Sequence, residues 1–158
     1  MSLKFEGTKT KKNLEAAFAG ESMANRKYLY FAQLAREFGD EEVAKAFEET
    51  AAQETQHAFS HLRLLYPKEQ MSITKILEMA IAGERHEHLV MYPGFEQDAL
   101  LENNQSAVLE FKEQGKESVE HEAYFKNIME KASKKFKALT SVEKIHADHY
   151  ESILNKRK

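Results

Sequence analysis

At 158 residues and 42% hydrophobic content, the chain is long enough for one domain with a single sizeable core. Two prolines, six glycines and abundant Ala, Glu and Lys point to nearly continuous helix, and a net charge of −3 spread along the chain leaves no nucleic-acid or membrane-surface footprint. The lack of cysteine excludes disulfides, thiolate metal sites and iron–sulfur clusters within the chain, and without a long apolar run or signal peptide the expected location is the cytoplasm.

Residues 1–12 read as a short basic tether, with Thr10 as a candidate cap for a first helix beginning near Lys11. That helix runs to about Phe38 and carries the stripe Leu14, Phe18, Glu21, Asn25, Tyr28, Phe31, Ala35. Glu21 sits mid-stripe, where a charge requires a partner. Gly39-Asp40 ends the first helix and starts a second, which reaches about Tyr66 before Pro67 stops it.

On the second helix the apolar face reads Val43, Phe47, Thr50, Glu54, His57, His61, Leu64. Glu54 and His57 lie three apart and so project from one face, in the middle of a core stripe. An ionised carboxylate there is costly unless a cation compensates it, and Glu-x-x-His from paired helices is the donor arrangement of di-iron carboxylate bundles. His61, one turn on, is expected to support the site or the core without being a ligand.

A third helix starts near Ser72 with the stripe Ile73, Ile76, Ala80, Glu84, Glu87, Met91, and Pro93-Gly94 must interrupt it. Near the C-terminus the sequence from Phe136 to Ala147 contains Glu143-Lys-Ile-His146. It repeats the internal offsets of Phe47, Glu54, His57 and Ala58, on a stripe Phe136, Leu139, Glu143, His146, Tyr150, Ile153. Ala19-Gly20-Glu21 and Ala82-Gly83-Glu84 form a second matched pair. The chain therefore reads as a duplicated helix pair, each half giving one lone Glu and one Glu-x-x-His. Carboxylates with two imidazoles and no thiolate suit Fe or Mn, with Zn as a possible substitute.

The second half is longer: Glu21 to Glu54 spans 33 residues and Glu84 to Glu143 spans 59. Because Arg36–Val43 resembles Lys112–Val119, the preferred turn is at Gly115, which lengthens the second hairpin by 13 residues out and 13 back, an extra helical segment at about 112–136. Such an arm would carry Leu100, Leu101, Val108, Phe111, Phe125, Ile128 and Met129 out of the bundle. That predicts a homodimer built on roughly 98–132, with exchange of helices between chains as a variant. A competing turn at Asn103-Asn104 brings Glu117, Glu120 and His121 level with Glu84, but gives a return stripe of Glu113, Glu117 and Glu120 that is polar for a core. His86, His88, His121 and His149 are expected to be solvated.

The motifs Gly20–Ala32, Glu54-Thr-Gln-His57, Ala82–Glu87 followed by Met91-Tyr-Pro-Gly-Phe95, and Glu143-Lys-Ile-His-Ala147 together resemble the rubrerythrin family of the ferritin-like superfamily. The resemblance spans residues 1–111 and 136–155, and with no rubredoxin segment in the chain it is to the short, rubredoxin-less branch typified by sulerythrin. It implies an all-α, ferritin-like four-helix bundle over 1–158 with a centre of two Fe ions. It also implies peroxidase activity that reduces hydrogen peroxide with electrons from an external protein such as rubredoxin or a reductase. Ferroxidase or O2-reducing oxidase activity and iron storage are the alternatives. The resemblance implies Glu21, Glu54, His57, Glu84, Glu87, Glu143 and His146 as metal ligands. Glu87 and His57 exchange at one iron, and Tyr28 and Tyr92 lie close to the chemistry.

Overall fold

The computed structural model describes residues 7–155, which are helical and contain no strand among them. The first six residues of the expected tether lie outside the described residues. Five helices run in chain order: α1 Lys9–Glu37, α2 Glu41–Leu65, α3 Ile73–His86, α4 Tyr92–Leu101 and α5 Gln105–Asn155. A 3₁₀ turn at Lys68–Gln70 follows Pro67, and a π-helical turn at Glu87–Met91 joins α3 to α4. The span expected as one domain divides into two compact units, Met1–Met71 and Ser72–Lys158, each a helical hairpin.

Helix starts are set by side-chain caps. The cap of α1 is Thr8, not Thr10, and its hydroxyl accepts from Lys11 N at 3.1 Å. Asp40 accepts from Val43 N at 3.0 Å to open α2, with Glu41 and Glu42 in the first turn complementing the helix dipole. Ser72 accepts from Lys75 N at 3.1 Å to open α3.

In the first unit, Ala32 and Ala35 of α1 pack on Ala44 of α2, with Phe47 against them. The buried positions of α2 are Ala44, Ala51, Ala58 and Leu65, each seven residues after the last, the repeat of a coiled-coil seam. Small side chains along that seam let the two backbones approach. Above it, Phe47 stacks on Tyr28 and Phe31 at centroid distances of 5.8 and 5.6 Å.

The second unit repeats this hairpin with a constant shift. The turn between α4 and α5 is at Asn103-Asn104, and the preferred turn at Gly115 is overturned: Gly115 lies inside α5. The α1–α2 turn is closed by bonds from Phe38, Gly39 and Asp40 N to Leu34, Arg36 and Ala35 O. The α4–α5 turn is closed by bonds from Glu102, Asn103 and Asn104 N to Asp98, Leu100 and Ala99 O, every residue 64 later. Gly39 and Asn103 both adopt left-handed backbone, at φ 85° and 58°, which Gly and Asn tolerate better than other residues. Asn104 caps α5 by accepting from Ala107 N at 3.2 Å, as Asp40 caps α2. Tyr92, Phe95 and Phe111 form the second aromatic cluster, with centroids 5.5–6.4 Å apart, again 64 after Tyr28, Phe31 and Phe47.

Gly115 corresponds to Ala51 of the seam. A Cβ there would stand 3.4 Å from the Tyr92 Cβ, an ordinary van der Waals contact, and this glycine makes no turn. The second helix pair is indeed the longer one, but its added length lies in α5 alone, a helix of 51 residues or about 76 Å. No arm formed by α4 and α5 overshoots the hairpin, so the dimer surface expected at 98–132 loses its basis.

Candidate metal centre

In the first unit the helix spacing and the turn bring Glu21 of α1 against Glu54 and His57 of α2. One donor atom from each lies within 4.8 Å of the others. His57 Nδ1 is 3.4 Å from Glu21 Oε2 and 3.3 Å from Glu54 Oε2, and His61 Nε2 stands 4.0 Å from the other Glu21 oxygen. One turn away, Asn25 Nδ2 donates to Ala51 O at 2.7 Å and to Thr55 Oγ1 at 2.9 Å, which fixes the register of the two helices beneath the site.

The carboxyls of Glu21 and Glu54 hydrogen-bond each other, and this moves their acidities in opposite directions. Glu21 is held below the ordinary carboxylate value, first by its bond with Glu54 and then by His57. Glu54 is pushed up, first by Glu21 and then by burial. Two carboxylates so close disfavour being charged together. A divalent cation bound there would neutralise both.

In the second unit Glu84 takes the place of Glu21, and His121 Nδ1 approaches Glu84 Oε2 at 3.4 Å. That oxygen is buried and accepts no hydrogen bond among the described residues, although it faces an imidazole. Glu87, at the start of the π-helical turn, accepts from Ser118 Oγ at 2.9 Å. Tyr92 below them keeps its phenolic proton well above neutral pH, chiefly through burial and then through the charge of Glu87.

The residues expected from the C-terminal motif are elsewhere. Glu84 lies nineteen residues before Asn103, so the position of α5 level with it is Glu122. Glu143 and His146 are exposed and begin about 30 Å farther along α5 at 1.5 Å per residue. Within this unit they do not join Glu84 and Glu87, and His121, exposed as expected, stands where His146 was placed. Glu117 and Glu120 are on the exposed side of α5. The signal that could have found His121 is the 64-residue shift, which carries His57 onto it as it carries Phe47 onto Phe111. The side chains of Tyr150 and Ile153, the end of the expected C-terminal stripe, lie outside the described residues.

His88, expected to be solvated, is an exception. It is largely buried, and its Nε2 is 2.7 Å from Oε2 of Glu122, itself only 6% exposed. Arg85 Nε and Lys126 Nζ reach the other Glu122 oxygen at 2.8 Å. The hydrogen bonds from Lys126, His88 and Arg85 outweigh burial and lower the Glu122 carboxyl to about 2. Ionised Glu122 therefore contributes stability that is fully present above the ordinary value of about 4.5 and is lost as pH falls through about 2. Thermal melts of Glu122→Gln and wild type are expected to differ most at pH 7 and to converge by about pH 2, and a difference unchanged across that range would contradict the assignment.

The donor chemistry fits a metal: three carboxylate or imidazole donors converge in the first unit, and the second holds a buried carboxylate oxygen with no bond of its own. Residues 12–154 match the family model described as Rubrerythrin. The chain belongs to the rubrerythrin family. With it comes the ferritin-like all-α fold class, to which the duplicated helix pairs conform. The chain is 37% identical to a rubrerythrin of Porphyromonas gingivalis over 77% of its own length and 66% of that protein. It is 32% identical to rubrerythrin-1 of Clostridium acetobutylicum over 79% and 74% of the two chains. It is also 37% identical to a rubrerythrin of Nitratidesulfovibrio vulgaris over 57% and 53%. Against the first and last of these it spans about half to two thirds of the relative's length. No described helix is long and apolar enough to cross a membrane.

Proposed function

We propose that the chain is a non-haem di-iron peroxidase, reducing H2O2 with two electrons and two protons to two molecules of water. The observation that carries this reading is the repeated donor set: Glu21, Glu54 and His57 in one hairpin, Glu84 and His121 at the places of Glu21 and His57 in the other, with Glu87 beside them. Bound there, two iron ions would supply the paired one-electron changes and the Lewis acidity that O–O cleavage needs.

The chain's own residues have distinct tasks in this reading. Glu21 and Glu54 supply carboxylate donors, and His57 and His121 supply the nitrogen donors. Tyr92, protonated at neutral pH and packed beside Phe111, is a hydrogen-bond donor next to Glu87 and Glu84. In this reading electrons come from an external redox protein of the rubredoxin or reductase type.

The test is NADH-coupled turnover of iron-loaded protein with an added reductase and rubredoxin. Stoichiometric loss of NADH and peroxide is expected, and no peroxide consumption would overturn the reading. Faster oxidation of the ferrous protein by O2 than by peroxide would move it to a ferroxidase or oxidase.

A further inference from the structure

The shift of 64 that carries His57 onto His121 carries Glu54 onto Ser118. It also carries the α2 seam of Ala44, Ala51, Ala58 and Leu65 onto Val108, Gly115, Glu122 and Met129 of α5. Three of those four are small or apolar, as a seam requires, and the other is a carboxylate. Glu122 is as buried as Val108, each 6% exposed, where the first hairpin has Ala58. An ionised group at one seam position is costly, and its best-attested use is to permit one pairing of two helices and no other. Two of its partners come from across the hairpin, Arg85 of α3 and His88 of the π-helical turn, and Lys126 lies one turn along α5.

The helix α3 needs such a device more than α1 does. Glu84 follows Glu21 by 63 residues whereas Tyr92 follows Tyr28 by 64, so one additional residue enters between them, in the stretch that forms the π-helical turn. The cluster of Tyr92, Phe95 and Phe111 sets how α4 meets α5, but the irregular turn stands between that cluster and α3. Turns of this kind are rare within α-helices. Closed up into regular helix, this one would carry Glu84 off the side that meets His121. In the first hairpin the tie between helices is Asn25, four residues after Glu21, which donates to Ala51 O and Thr55 Oγ1. Four residues after Glu84 stands His88, paired with Glu122 at 2.7 Å. We propose that Glu122 is a positioning residue: through Arg85 and His88 it holds α3 in the setting that keeps Glu84 facing His121.

The chain has no cysteine, so spin labels at Glu78→Cys on α3 and Lys112→Cys on α5, both exposed, read the setting of the two helices without metal. Labelled chains are diluted into unlabelled ones, with helical circular dichroism as the control for folding. One narrow distance is expected with Glu122 in place, and also for Glu122→Gln, which keeps an oxygen for Arg85 and an amide for His88. Glu122→Leu fills the seam but offers neither, and should show a second, resolved distance. Co2+ titration of the same chains reads the consequence, which rests on the di-iron reading. The ion of the second hairpin should be loosened by about 10–100-fold in Glu122→Leu and should bind near wild-type strength in Glu122→Gln. A folded Glu122→Leu protein that keeps the single distance, or that shifts yet binds Co2+ as wild type does, would overturn the proposal. A Glu122→Gln protein as altered as the leucine variant would leave Glu122 a stabilising charge and overturn it too. Wild type that binds no Co2+ would overturn the di-iron reading, and the distances alone would then decide the role of Glu122. If Glu122→Leu loses helicity, His88→Leu, which leaves Arg85 and Lys126 on the carboxylate, decides by the same distance.

Discussion

Glu54→Ala is expected to abolish metal binding by the first hairpin and with it most of the thermal stabilisation that metal confers there. The Glu54 carboxyl is pushed up, first by its neighbour Glu21 and then by burial. A cation relieves that conflict, and alanine removes both the conflict and the ligand. With metal at a hundred times its dissociation constant, binding adds about 2.7 kcal/mol to wild type. For a chain of this size that corresponds to a rise in Tm of about 5–11 °C. The variant should show almost none of this rise at the first site, while its metal-free Tm stays within a few degrees of metal-free wild type. Calorimetric scans with and without chelator, alongside metal analysis, check both statements. An undiminished metal-induced rise in the variant would remove Glu54 from the ligand set.

The second large effect separates two histidines that the sequence makes look equivalent. His121→Ala is expected to lose the ion of the second hairpin, whereas His146→Ala and Glu143→Ala should bind metal as wild type does, within a factor of about two. His121 faces a buried Glu84 oxygen that has no hydrogen bond, so its loss leaves that carboxylate without a neighbouring nitrogen donor. His146 and Glu143 are solvated side chains on the distal part of α5. Loss of an ion in Glu143→Ala with retention in His121→Ala would reverse this assignment.

Much of the first hairpin was legible because each of its signals has one physical meaning. Gly39-Asp40 is both a left-handed residue and a cap, and Glu21, Glu54 and His57 interrupt otherwise apolar stripes. In the second hairpin the same signals were divided among residues with other duties. Gly115 looks like Gly39 in sequence, but it lies inside α5 beside Tyr92, and helix propensity alone does not stop α5 at a single glycine. The actual turn is made by Asn103-Asn104, a weaker but sufficient pair. Once Ser118 replaces the carboxylate, His121 no longer belongs to a Glu-x-x-His, and the intact copy at Glu143–His146 draws attention in its place. The polar stripe that counted against the Asn103 turn was real but misassigned: Glu113, Glu117 and Glu120 are exposed, while Val108, Ser118 and Glu122 face inward. A buried Glu122 is invisible to apolar periodicity because Arg85, His88 and Lys126, from two helices, compensate it.

The π-helical turn has a consequence for how such a hairpin can change. In a regular α-helix one inserted residue rotates everything after it by about 100°, which would swing Tyr92 and Phe95 off the face that meets Phe111. The aromatic cluster nevertheless repeats that of the first hairpin, so the wider turn at Glu87–Met91 has absorbed the rotation before the cluster begins. The helix thus carries a phase compensator between its ligand-bearing segment and its packing segment. The added residue on the Glu84 side thus sets Glu87 toward Ser118, while the packing downstream keeps its angular setting.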